Sequence, residues 1–100
     1  MNAERRKAIA KIVQSAIDLQ AQIDELAGKL NDIASEIETI KDEEEEYYDN
    51  MPEGFQNGEK GEAAQTAIEA LDEAYGAAEE AATTLEGVTE QIVEALNSIE

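Results

Sequence analysis

The sequence predicts an all-α protein: two long antiparallel helices forming a helical hairpin with coiled-coil heptads, associating into a four-helix bundle. Three observations predict it. Apolar residues step by three and four through both halves of the chain. The only Pro and a Gly-containing turn segment fall between those halves. The composition is rich in Ala, Glu, Lys, Leu and Ile, as in long helices. The expected layout is a helix over 4–48, a connecting tip over 49–59 and a second helix over 60–99.

The first helix is written as five heptads in register. Position a holds Ile9, Ala16, Ile23, Leu30 and Ile37, and position d holds Ile12, Leu19, Leu26, Ile33 and Ile40. The next two slots are Glu44 and Tyr47. No Pro interrupts the run, and the lone Gly28 costs about 1 kcal/mol. Such a helix would be roughly 65 Å long.

The second helix continues the pattern. Ile68, Tyr75, Ala82, Thr89 and Leu96 take a, and Leu71, Ala78, Leu85, Ile92 and Ile99 take d. Position g is small and apolar throughout: Ala67, Ala74, Ala81, Val88 and Ala95. Helix one has a weaker counterpart at e, with Val13, Ala27 and Ala34. A stripe this wide meets more than one neighbour. The expectation is therefore a homo-oligomer, with a dimer of hairpins favoured. The rival is a stripe that awaits a different protein.

Charge narrows the partners. Twenty-five acids face seven bases, for a formal net charge of −18. That disfavours direct binding of nucleic acid or an anionic membrane and favours a partner with a basic or nucleic-acid-binding surface. The bland role of such charge is solubility. Cys and His are both absent, which excludes disulfides, thiolate or imidazole metal sites and the usual nucleophile and general base. No enzyme, metal or cofactor is expected. The first residues carry basic side chains without an apolar run after them, and no stretch approaches a membrane span, so a cytoplasmic protein is expected.

Arg5, Arg6, Lys7 and Lys11 form a basic cluster. In an antiparallel hairpin this end lies beside Glu86, Glu90, Glu94 and Glu100, where cations offset the acids and the negative helix end. The other reading is a phosphate-contact site.

The connecting segment, DEEEEYYDNMPEGFQNGEKGE, carries nine carboxylates against one Lys. Aligning Asp49 with the start of a calcium loop puts Gly54 at its turn position. The same alignment puts Met51 and Lys60 at ligand positions, so the motif fails. Gly54, Gly58 and Gly61 precede a helix as phosphate-binding glycines do, but Glu59 and Glu62 would repel the anion. Asn57-Gly58 reads more simply as a turn. Paired-carboxylate catalysis would need buried acids, and Asp42 to Glu46 read as a solvated face. Tyr47 falls on d and is expected to cap the bundle core. Tyr48 and Phe55 fall outside the heptads and either close the turn, with Phe55 folded back onto Tyr47, or meet a partner. Asn50 to Glu53 could start a short helical turn.

The opening ERRKAIAKIV and the middle segment resemble a group of small acidic helical proteins of bacteriophages and prophages. The matching positions in the middle are Tyr48, Asp49, Asn50, Met51, Pro52, Glu53, Gln56, Glu59, Lys60, Gly61 and Glu62. The resemblance implies a viral origin and supplies no functional residues. Small phage proteins without catalytic groups often act by occupying a host target. The expected function is a non-enzymatic binding protein that inhibits a host defence protein through an acidic, DNA-mimicking surface. Its contact residues would be Glu43, Glu44, Glu45, Glu46, Tyr48, Asp49, Met51 and Phe55. One alternative is an oligomeric sponge for a nucleotide immune signal, using Arg5, Arg6, Lys7, Lys11, Tyr47 and Tyr48. Another is a structural coiled-coil assembly protein.

Overall fold

A computed structural model describes residues 2 to 99. They form helix α1 (Ala3–Asp49), a single turn α2 (Glu53–Gln56), helix α3 (Glu59–Leu85) and a short helix α4 (Glu90–Asn97). Helix α1 opens on Asn2, whose side-chain oxygen accepts the Arg5 backbone N–H at 2.8 Å. The chain turns back through α2, and α3 runs antiparallel along α1. Tyr48 meets Gln65 and Lys41 meets Asp72, seven residues along one helix for seven back along the other. The molecule is a rod of 78 × 16 × 14 Å. The all-helical hairpin expected from the heptads is therefore present. The four-helix bundle is not: one chain makes an elongated pair of helices.

The seam differs from the one expected on α1. Its inward residues are the a row and the e row, with Ala16, Ala27 and Ala34 buried. From α3 the buried residues are Gly61, Ala64, Ala78 and Ala82. Among the described residues, every buried apolar side chain is thus an Ala, and no large side chain is fully buried. Small residues on both sides allow a close approach of the two helices. Ile and Leu of the a row lie half-buried along the margin of this contact. The d row has no room in it. Ile12, Leu19, Leu26, Ile33, Ile40 and Tyr47 are each 48 to 53 % exposed.

Tyr47 and Tyr48 consequently exchange their expected roles. Tyr47, expected to cap the core, faces outward on d. Tyr48 sits at e and is half-buried in the hairpin. Gln65 Nε2 donates to its hydroxyl at 3.0 Å, and Gln56 Nε2 donates to its carbonyl at 2.9 Å.

The second helix is also interrupted, at 86–89, where an unbroken helix over 60–99 was expected. Glu86 is extended and Gly87 has φ of 61°, a conformation that costs an L-residue about 1–2 kcal/mol. Following the register from Lys41 and Asp72 would place Gln20 opposite Val93. It meets Thr89 instead, four residues early. An extended residue advances about 3.3 Å against 1.5 Å in a helix, so the break covers the same length with fewer residues. Four residues is close to one helical turn. The inward face therefore continues through Thr89, Val93 and Leu96, while Ile92 turns out.

At the tip, Gly61 packs directly on the backbone of Gln56, and a Cβ there would overlap the Gln56 carbonyl. Gly61→Ala should lower the stability of the hairpin by about 1–3 kcal/mol, read as a lower denaturant midpoint. An unchanged midpoint would contradict this close approach.

Candidate protein-binding surfaces

The a/e seam of α1 and the a/d seam of α3 give the hairpin two unlike sides. One side brings positions b and e of both helices together. Glu45, Tyr48, Gln65 and Glu69 line one cleft there, and Ile17, Asp24, Glu90 and Val93 line another. The other side brings d of α1 beside g of α3, as Tyr47 and Lys60 show by lining a common cleft with Met51 and Phe55.

The polar cross-links between α1 and the returning chain lie on the b/e side. Lys41 Nζ donates to Asp72 Oδ1 at 2.8 Å and lies 3.8 Å from Glu45 Oε1. The hydrogen bond to Asp72, with its charge, holds the Lys41 pKa above its ordinary value. Tyr75 places its hydroxyl between Glu38 and Glu79. Hydrogen bonding to Glu38 first, then to Glu79, pushes the phenol up to about 12, because ionisation would set a third negative charge beside two carboxylates. Near the other end, Gln20 Oε1 accepts from the Thr89 N–H at 2.9 Å and from its hydroxyl at 2.8 Å. Gln20 Nε2 donates to the Leu85 carbonyl at 3.1 Å. Gln20 thereby fastens both edges of the 86–89 break to α1, and Thr89, a polar residue on a, is buried with its bonds made.

The d/g side is apolar. The large d row of α1 runs beside a stripe of small residues on α3: Ala67, Ala74, Ala81 and Val88 at g, with Ala70 and Ala77 at c. Of these only Ala67 is even half-buried.

The acidic contact set expected from the sequence lies around the tip. Glu43, Glu46 and Asp49 are exposed, and Glu44 and Glu45 are partly covered. Met51 is half-buried, whereas Phe55 is exposed, with Lys60 Nζ 5.7 Å above its ring. Phe55 and Tyr47 share a cleft but neither closes over the other. Among the described residues no group of three or more acids converges as a cation site, and no helix is long and apolar enough to cross a membrane.

The basic cluster is at the far end. Along α1, Lys11 and Tyr47 are about 54 Å apart, so one chain does not bring the six residues of the nucleotide reading together. The neutralising contacts expected with Glu86, Glu90 and Glu94 are not formed by Arg5, Lys7 or Lys11, which make no ion pair among the described residues. These side chains extend into solvent, where a contact with a flexible acid gains little. Glu100 lies outside the described residues. Sequence reasoning missed Gln20 and Tyr75 as cross-linking residues. The signal for the first was a Gln at e and a Thr at a, polar residues in rows that are mostly apolar.

Comparison with protein-family models, curated proteins and solved structures finds no match to this chain.

Both raised groups lose their contribution in alkali. A Tyr or Lys whose folded pKa lies above its unfolded value is stabilising below the unfolded value, near 10, and that contribution disappears as pH climbs through the folded value. Stability should therefore be flat with respect to these groups from pH 7 to about 9 and fall between about 10 and 12. Tyr75→Phe should remove the phenol transition near 12 from an ultraviolet titration. A wild-type titration with every phenol near 10 would contradict the placement of Tyr75.

Proposed function

We propose that this chain is a non-enzymatic binding protein that docks on a basic protein surface through its acidic flank and tip. The observation that carries this reading is that most of the acids stand exposed, with few drawn into contacts within the chain. Among the described residues, Lys41 pairs with Asp72 and Glu45, and most of the other acids are exposed. The remaining charge of an 18-fold negative chain stands on a rod 78 Å long and 16 Å across. A rigid rod holds carboxylates at fixed spacings, as a nucleic-acid backbone holds phosphates, and a groove built for DNA would meet both alike. Glu43, Glu46, Asp49 and Phe55 form the contact at the tip, with an exposed ring set among exposed carboxylates. Tyr48, Glu45 and Met51 support that surface from beneath.

The resemblance to phage proteins gives this activity its setting: the occupied partner is a host defence protein that handles nucleic acid. Two hairpins pairing through the apolar side complete the four-helix bundle. That pairing leaves the acidic b/e flank of each hairpin free for the target.

A pull-down from host lysate, repeated with Glu43→Gln, Glu46→Gln and Asp49→Asn combined, tests this. The expected result is a retained basic protein that duplex DNA displaces. Its affinity should fall roughly tenfold or more between about 50 and 200 mM salt, and the neutralised variant should retain it less. Retention indifferent to salt, DNA and the substitutions would contradict the proposal.

A further inference from the structure

The d row of α1 is an exposed line of large apolar side chains, and its surroundings say what covers it. It extends about 52 Å from Ile12 to Tyr47. The stripe of small residues on α3 widens it to the full breadth of the rod, 16 Å. The projected face is roughly 800 Å², which is what one partner contributes to a standard stable interface. The face is straight, regular in heptads and as long as the hairpin itself. A second hairpin fits such a face over its whole length.

Charge decides the direction of that second copy. Residues 3–29 of α1 carry five bases against four acids. Residues 30–49 carry one Lys against nine acids. Two hairpins related by an axis along the rod would bring both acidic tips to one end. Two hairpins related by an axis across the rod would set each basic half of α1 against the acidic half of the other copy. The second arrangement also keeps the two tips about 50 Å apart, well beyond the screening length of about 10 Å.

We propose that the chain forms an antiparallel two-fold dimer through the d row of α1, in which the basic N-terminal turns of each copy sit against the acidic, aromatic tip of the other. The proposal rests on the pairing of hairpins set out above and adds its direction and register. The d rows interleave about a centre between Leu26 and Ile33. Ile12 of one copy then packs on Tyr47 of the other, and Leu19 on Ile40. Arg5 continues the same row one heptad before Ile12, and Lys11 flanks it. Neither makes an ion pair among the described residues of its own chain. In the dimer Lys11 comes beside the second copy's Glu46, and Arg5 passes the end of its α1 and lies against its tip. The basic and tyrosine residues that one chain holds far apart become neighbours at each end of the bundle. The α3 stripes, made of Ala, close against each other as tightly as the intrachain seam does.

The chain has no Cys, so single-Cys variants give clean cross-links. Ser15 and Glu43 both flank the d row at g and are both exposed. Under mild oxidation, Ser15→Cys mixed with Glu43→Cys should give the mixed disulfide dimer, while Ser15→Cys alone stays uncross-linked. Light scattering of the wild type should give twice the chain mass. Leu26→Glu should weaken the dimer by about 100-fold or more, because each copy would bury a carboxylate. Leu26 lies outside the intrachain seam, so circular dichroism should show that variant still helical. A wild-type chain that stays monomeric overturns the pairing and its direction together. A dimer in which Ser15→Cys links to itself, or shows no link to Glu43→Cys, overturns the direction alone. A dimer indifferent to Leu26→Glu overturns the use of this face.

Discussion

The close approach of α1 to the returning chain governs the rest of this molecule. Ala16, Ala27 and Ala34 on one side meet Gly61, Ala64, Ala78 and Ala82 on the other. Side chains this small let the helices approach closely, and the inward Ile and Leu, such as Ile23, Leu30 and Leu71, lie half-buried along the margin of the contact. The large side chains of the d row are displaced to one side. The polar e positions, Gln20, Lys41 and Tyr48, are drawn to the other, where they meet Thr89, Asp72 and Gln65. A single packing choice divides the rod into a polar, acidic side and an apolar side.

That division has an energetic consequence. A helix pair without a fully buried large side chain removes little apolar area from water, and small cores are marginal at this chain length. Six half-exposed large side chains on one line are the complement of that deficit. At about 1.5–3 kcal/mol for each Ile or Leu fully buried, the row holds a reserve comparable to the whole stability of a small domain. The proposed association of two hairpins would draw on that reserve. The polar side works differently: its cross-links fix which residues face which, and they leave most carboxylates in water.

The sequence made the helices, their antiparallel return and the inward face of α3 readable. Ile68, Leu71, Tyr75, Ala78, Ala82 and Leu85 face inward where their heptad positions place them. The seam of α1 was misread because hydropathy ranks Ile and Leu above Ala, while burial between near axes ranks them the other way. The d row is the more apolar, since e also carries Gln20, Lys41 and Tyr48, and what favours e in the seam is the small size of Ala27 and Ala34. The exchange of Tyr47 and Tyr48 follows from that same choice. The break at 86–89 was hidden because Val88, Thr89 and Ile92 keep heptad step across it. Its signal was Gly87 in a run of apolar steps, and a helical Gly such as Gly76, which stays within α3, looks the same in sequence. The acids of the tip were legible as a surface. Which of the aromatic residues support it and which present themselves was not, since that depends on the seam.

The central claim is that small residues, and not the large d row, hold the two helices together. Denaturant unfolding of Ala82→Leu and Ile33→Ala, at a concentration low enough for the chain to be a monomer, tests it most directly. Overpacking the seam with Ala82→Leu should destabilise the hairpin by about 1–3 kcal/mol, while Ile33→Ala, already half in water, should cost less than about 1 kcal/mol. The reverse order, with Ile33→Ala the more damaging, would place the d row in the core and contradict the account.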